Sequence, residues 1–362
     1  MLSAETRVKT RVFLDINHRF LYDMDGNESD QKAMNSDNGR LISALIRQNE
    51  GNMKKHQVLS SVLLLTAAII WGLAFVAQEK LSDTVPPFTV NAIRSLIASA
   101  ALIPVAAVTR RIKGKPLLEE KPADRKKLIK AGVICGVMLC ISVNLQQFGI
   151  ALYPAGAPAS AHSGFLTALY IIFVPLFGLF LHKKPGLFVG IAVVLATVGL
   201  YFLCLYDGIG ALYTGDIVVL ICGMAFAVQI LCVDRYIGEV DGVKLSSIQF
   251  LVTGILSAIL MLIFEKPDPA AIMAGWAPLL YLSICSSGIG YTLQIIGQQY
   301  ASSPSLASIL MSMESVFAVI GGVIFMHAVP KPNEWIGCGI MLAAIIIAQL
   351  PQELLKRSGQ KQ

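Results

Sequence analysis

Two charged residues stand deep inside long apolar runs, where an ionised group costs about 2.5–3.5 kcal/mol at the centre of a membrane helix. Glu314 comes ten residues after Pro304, about 15 Å along a helix rising 1.5 Å per residue. A glutamate is too short to reach water from that depth. It therefore reads as a proton or cation site whose protonation accompanies conformational change, or as a carboxyl held by neighbouring helices with no part in turnover. Arg94 comes seven residues after Pro87, about 10 Å in. Its planar fork suits a carboxylate or other anionic group, and Asn91 at i−3 shares its helical face. The alternative is an arginine that snorkels to the interface, or pairs with Glu79 or a backbone carbonyl.

A second layer consists of amides and aromatics. Asn144, Gln146, Gln147, Gln229, Gln249, Gln294 and Gln298 all fall inside apolar runs, and Tyr291, Gln294 and Gln298 share one helical face. They read as a hydrogen-bonding cavity wall, or as interhelical contacts worth under about 1 kcal/mol each. Trp71 and Tyr170 could stack on a solute or simply pack, and His162 is a titrating gate or a satisfied polar residue. The candidate substrate-binding or coupling set is Glu314, Arg94, Asn91, Gln294, Gln298, Tyr291, Asn144, Gln146, Tyr170 and Trp71. The chain contains no HExxH, no GxSxG, no phosphate-binding GxxxxGK[ST] and no paired intramembrane carboxylates, so neither an enzyme nor a nucleotide-driven pump is expected. Cys135, Cys140, Cys204, Cys222, Cys232, Cys285 and Cys338 lie in apolar segments without CxxC or nearby histidines. They read as packing residues, and no metal or cofactor is expected.

The elements that must position these groups follow from hydropathy. Apolar residues make up 55% of the chain and charged ones 14%, with a mean hydropathy of +0.66, too apolar for a soluble domain. An all-α integral membrane protein is expected, because an open chain satisfies its backbone in lipid only as helices of about 20 residues. Ten spans are expected near 58–78, 88–108, 129–150, 159–181, 186–205, 214–233, 245–264, 277–297, 304–326 and 333–350. The punctuation between them includes Pro86-Pro87, Pro154, Pro185, Asp241-Gly242, Pro267, Pro304 and Pro330. With the N-terminus inside, one side carries seventeen Lys and Arg from Lys54 onward, and the other only Lys80, Lys266 and Lys331. Both termini are then cytoplasmic, and the net charge of +6 orients the chain rather than binding nucleic acid.

Leu145-Gln146, Gly149, Tyr153 and His182 with Pro185 recur as Leu293-Gln294, Gly297, Tyr300 and His327 with Pro332. A five-span repeat must enter the membrane the second time from the opposite side, giving two inverted five-helix halves, 53–206 and 207–350, followed by a tail, 351–362. Inverted repeats are a mark of secondary transporters, with the solute site between them. Residues 1–52 are polar and lack a signal-peptide core; Met53-Lys54-Lys55-His56 resembles a natural start, so this extension reads as an over-extended translation start or a disordered tail. The Gly186–Gly190 GxxxG and Gly321-Gly322 read as close helix-packing positions.

The run Leu65–Gln78, ending Trp71-Gly72-Leu73-Ala74-Phe75-Val76-Ala77-Gln78, and Pro87-Phe88-Thr89-Val90-Asn91-Ala92-Ile93-Arg94 resemble the opening of an EamA-type repeat of the drug/metabolite transporter superfamily. Ser163–Tyr170 with Phe173-Val174-Pro175-Leu176, Tyr291–Gln298 and Met313–Ala318 resemble that family's fourth, eighth and ninth helices. The family's usual Glu-Pro pair in the ninth helix is Glu314-Ser315 here, which relaxes a helix constraint, and its acidic residue before the last helix is replaced around His327-Ala328. The resemblance implies a secondary active transporter of the cell membrane, the bacterial inner membrane, exporting a small metabolite or drug-like solute by alternating access coupled to a proton or solute gradient. Its partners would be that solute and membrane lipid, with homodimer formation left open. A membrane-embedded receptor or scaffold, or a membrane enzyme without transport, is the alternative.

Overall fold

The computed structural model describes residues 28–112, 114, 121–154, 159–182, 186–204, 206, 213–326 and 331–348. The expected extension before residue 28, the tail 351–362 and the replaced position around His327 lie outside them. By contacts the chain divides into two units, Met1–Lys55 and His56–Gln362. In the first, residues 28–55 are helical.

The helices are α1 (Glu28–Ser82), α2 (Pro87–Ile112), α3 (Pro122–Ala151), α4 (Ala159–Ala168), α5 (Tyr170–Phe180), α6 (Leu187–Cys204), α7 (Thr214–Tyr236) and α8 (Gly242–Phe264). There follow α9 (Pro269–Ala274), α10 (Trp276–Leu280), a π-helical segment Tyr281–Gly290, α11 (Tyr291–Tyr300), α12 (Pro304–Met311), α13 (Glu314–Met326) and α14 (Pro332–Ala348). Among the described residues, eight helical stretches are long and apolar enough to cross a membrane: Lys55–Ser82, Pro87–Arg111, Pro122–Ala151, Ala159–Phe180, Thr214–Tyr236, Gly242–Phe264, Trp276–Tyr300 and Pro304–Phe325. The expected spans at 186–205 and 333–350 appear as shorter apolar helices, Leu187–Gly199 and Trp335–Ala344.

Part of the expected punctuation falls at helix starts: Pro87 and Pro304 stand at first helical positions, where their missing N–H costs nothing, and Pro122 and Pro269, which were not expected there, do the same. The Asp241 side chain accepts from Val243 N and Lys244 N, and Ser303 Oγ from Leu306 N, satisfying donors that an uncapped helix leaves open.

The packing interleaves distant parts of the sequence. α2 packs on α8, α3 on α7 and α8, and α6 on α14. Ser60 Oγ donates to Gly297 O at 2.9 Å and Tyr281 Oη to Ile70 O at 2.8 Å, so α1 runs antiparallel to the segment 281–300. Tyr153 meets Asp216 by side-chain hydrogen bond, and Cys222 Sγ donates to Ser142 O at 3.3 Å, so α3 and α7 are antiparallel too.

Several glycines let backbones touch, Gly72 and Gly223 among them. A Cβ on Gly72 would lie 2.4 Å from Phe317 Cβ and 2.7 Å from the Phe317 carbonyl carbon, and one on Gly223 would lie 2.9 Å from Leu166 O. By contrast, a Cβ on Gly190 meets nothing, which corrects the packing reading of the GxxxG at that position: its face is not pressed against another helix. Gly72→Ala is therefore expected to cost about 1–3 kcal/mol through overpacking, whereas Gly190→Ala gains up to about 1 kcal/mol of helix propensity. Thermal unfolding of both variants in detergent checks this, and equal melting temperatures would contradict it.

Candidate functional site

Three membrane-crossing stretches depart from regular α-helix, and each departure delivers a side chain to the same place. The stretch Ala159–Phe180 breaks at Leu169, immediately before Tyr170. Pro304–Phe325 breaks at Ser312 and Met313, immediately before Glu314. Here serines supply the local cause: Ser312 Oγ donates to Ile309 O at 2.7 Å and Ser315 Oγ to Ser312 O at 2.8 Å, competing with the helical ladder. Ser315 N also bonds back only three residues, to Ser312 O at 3.1 Å. The third departure is the π segment, which ends at Gly290, immediately before Tyr291, and leaves Ser286 O to accept from Trp71 Nε1 at 3.2 Å.

These features surround a small cavity of about 30 Å³. Trp71, Arg94, Gln146, Tyr170, Tyr291, Gln294 and Glu314 from the candidate set all line it. Its remaining wall includes Phe75, Gln78, Thr167, Phe226, Ile230, Ser286 and Met311. Trp71 and Tyr291 meet with ring centroids 4.8 Å apart, and Gln146 Nε2 donates to Thr167 Oγ1 at 3.3 Å.

Arg94 is 2% exposed, so it does not snorkel. Polar partners wait at its own depth instead: Nε donates to Ser287 Oγ at 3.1 Å and Nη1 to Gln78 Oε1 at 3.4 Å. Neither partner is charged. Glu79, the alternative partner, accepts from Ser160 N at 2.9 Å through its carboxylate. Glu314 is 4% exposed and opens α13. The Tyr170 phenol lies against the Glu314 carboxyl and interacts with it, while Glu314 Oε1 has no partner at ordinary hydrogen-bond geometry. The cavity thus holds one buried cation and one buried carboxyl that do not neutralise each other.

Three candidates are not brought to this cavity. Asn91 Nδ2 donates to Val143 O and to Asn144 Oδ1, each at 3.0 Å. Asn144 Nδ2 in turn reaches Cys140 O at 2.8 Å and Ser257 Oγ at 2.9 Å. The pair ties α2, α3 and α8 together, because Asn91 meets α3 rather than the cavity face carrying Arg94. Gln298 lies one turn beyond Gln294 and is buried with both amide atoms unbonded.

Gln78 escaped the sequence reading because it sits beside Glu79-Lys80, at what looked like the interfacial end of its run. A signal was present: Ala74-Phe75-Val76-Ala77-Gln78 recurs as Ala225-Phe226-Ala227-Val228-Gln229. Both glutamines accept hydrogen bonds from buried side chains, Gln78 from Arg94 and Gln229 from Gln294.

At the end of the bundle where α2, α4 and α7 begin, carboxylates bind elements to one another. Glu265 accepts from Phe88 N at 2.8 Å, Thr89 N at 2.7 Å and Thr89 Oγ1 at 2.8 Å. His162 turns out to be part of such a cluster, with Nδ1 3.2 Å from Asp216 Oδ1, which also meets Tyr153, while Tyr213 N donates to Asp216 Oδ2 at 2.7 Å. At the opposite end Lys127 and Arg235 bond to Glu239 and hold its carboxyl below the usual range.

Long apolar helices around a polar, charge-bearing cavity fit a multi-pass membrane protein. The EamA-like transporter family model matches the chain twice, over residues 58–205 and 213–349, and the chain belongs to that family. An uncharacterized transporter of Archaeoglobus fulgidus is 25% identical over 312 residues, covering 85% of this chain and 91% of the relative. The uncharacterized transporter YoaV of Bacillus subtilis is 22% identical over 293 residues, 78% of this chain and 92% of its own. A solved crystal structure shares the fold at 20% identity, with a TM-score of 0.62 over 80% of this chain and 98% of the other. The family and its transporter-named relatives make this chain a multi-pass transporter of the cell membrane.

Proposed function

We propose that this chain is a secondary active carrier that exports a small metabolite or drug-like solute by alternating access, driven by a proton or solute gradient. The observation that carries this reading is the joint burial of Arg94 and Glu314, mutually unpaired, in a cavity built at broken helices. Irregular backbone inside a membrane is tolerated where it is packed in protein or lines a cavity, and interrupted helices at matching places in two halves point to a solute site. Leu169 and Ser312 are such places, in the fourth and ninth apolar stretches.

Ten spans in two inverted halves, 53–206 and 207–350, with both termini cytoplasmic, complete the proposal. Several contacts support the exchange of halves. The first apolar stretch runs antiparallel to the eighth, as the sixth does to the third. Gly72 presses the first stretch on the ninth, and Gly223 presses the sixth on the fourth.

Purified protein in liposomes tests the reading with a panel of labelled anionic, zwitterionic and cationic metabolites, with and without an imposed pH gradient. Saturable flux of at least one solute is expected. No flux of any, together with unaltered cell physiology in a Glu314→Gln strain, would favour a receptor or scaffold.

A further inference from the structure

The first turns of α3 carry more positive charge than the protein itself pairs. Arg125, Lys126, Lys127 and Lys130 are all exposed there. Lys127 is bonded to Glu239 at 3.0 Å, on the side where Asp124 lines, with Glu239 and Asp241, a cleft of about 470 Å³. Arg125, Lys126 and Lys130 have no ion-pair partner among the described residues. At about 100° per residue these three fall within an arc of about 140°, and Lys127 and Asp124 fall outside it. Lys121 at the N-cap gives the first turn no side-chain hydrogen bond, so the open N–H groups of α3 add the positive end of the helix dipole to the same place.

The same arc continues along α3 as a stripe of exposed apolar side chains. Ile129, Val133, Val137 and Ile141 are 38–45% exposed at successive i+4 positions of a stretch that crosses the membrane. The stripe runs about 18 Å, slightly more than half of a hydrocarbon core roughly 30 Å thick. Gly132 is pressed against Ile248 and Gly136 against Val252, so α3 and α8 lie parallel in close contact. On α8, Leu251, Ile255 and Ile259 form a second exposed apolar row. The seam between the two helices is therefore an apolar track one leaflet long, with three unpaired cations at its mouth.

We propose that this face of α3 is a binding site for an anionic phospholipid, with its phosphate among Arg125, Lys126 and Lys130 and an acyl chain along the α3–α8 seam. Basic side chains at a membrane surface attract anionic lipids, and an arginine fork holds a phosphate through paired N–H groups. A soluble anion would gain from the cations but not from the stripe. A neutral lipid would gain from the stripe but not from the cations. The site requires that the chain span a membrane and is indifferent to the solute it moves.

Lipid titration tests it without any flux measurement. Delipidated full-length protein in detergent is mixed with dioleoylphosphatidylglycerol or dioleoylphosphatidylcholine, which share acyl chains and differ in head-group charge, and retained lipid is counted by native mass spectrometry. The first phosphatidylglycerol should bind at least about tenfold more tightly than the first phosphatidylcholine. In the triple variant Arg125→Gln, Lys126→Gln, Lys130→Gln that preference should fall below about threefold. The double variant Lys80→Gln, Lys266→Gln, which removes two exposed cations from the opposite end of the bundle, should keep it. Lys126→Gln alone should show a partial loss if the triple variant fails to fold. Equal binding of the two lipids by the parent chain, or a preference that survives the triple variant, overturns the site. Displacement of the lipid by an equal concentration of glycerol phosphate also overturns it, by assigning the cations to a soluble anion.

Discussion

Glu314→Gln is expected to abolish any stimulation of flux by a pH gradient and to slow exchange by about tenfold or more, a change worth at least about 1.4 kcal/mol in the barrier. The substitution preserves shape and removes only the ability to ionise. Glu314 opens α13 just after the break at Ser312 and Met313, so its carboxyl lies at the positive end of a helix inside the bilayer. An ionised group there costs about 2.5–3.5 kcal/mol, and a helix N-terminus returns up to about 2 kcal/mol of it. Both protonation states are therefore within reach, as a coupling group requires. Because the amide keeps the carboxyl's shape and an acceptor oxygen for the Tyr170 contact, the variant should melt close to the parent chain. An intact gradient response in Glu314→Gln would remove this residue from the coupling mechanism.

Arg94→Gln is expected to weaken binding of anionic solutes by about 10- to 150-fold, the equivalent of the roughly 1.5–3 kcal/mol carried by hydrogen bonds to charged groups. Binding of cationic and neutral solutes should change little. Arg94→Lys, which keeps the charge but loses the fork, should fall between. The structural counterpart of this expectation is that Arg94's hydrogen-bond partners among the described residues, Ser287 and Gln78, are both neutral, so the charge is available to a solute. Dissociation constants for a graded set of solutes measure the effect. If Arg94 serves the fold alone, anion affinity will persist while the melting temperature drops.

Much of the architecture was legible before any coordinates, since the cost of exposing backbone to lipid dictates helices and the length of each apolar run dictates a crossing. Depth arithmetic also placed Glu314 correctly inside the protein. The same arithmetic failed for Arg94, whose long side chain permits two destinations; packing against the π segment and α1 decided between them. Asn91 and Asn144 illustrate another gap. Helical spacing says which residues share a face, not which helix meets that face, and these two amides meet each other. The breaks at Leu169 and Ser312 were equally hidden, since a serine in an apolar run reads as a small residue until its hydroxyl is seen bonded to the preceding turn. Gln78 was recoverable from sequence, through the repeated Ala-Phe-x-x-Gln, but only by comparing the first apolar run with the sixth.

The interleaved pairing has a consequence for how the chain is made. Ser60 finds its acceptor at Gly297, and Gly72 finds its counterpart at Phe317, more than two hundred residues downstream. At about 5–20 residues per second of synthesis, the first helices wait in the bilayer for tens of seconds before those surfaces are covered. Such a protein is completed rather than accumulated: its early helices remain an unfinished face, open to the membrane's insertases and quality-control proteases, until the last third of the message has been read.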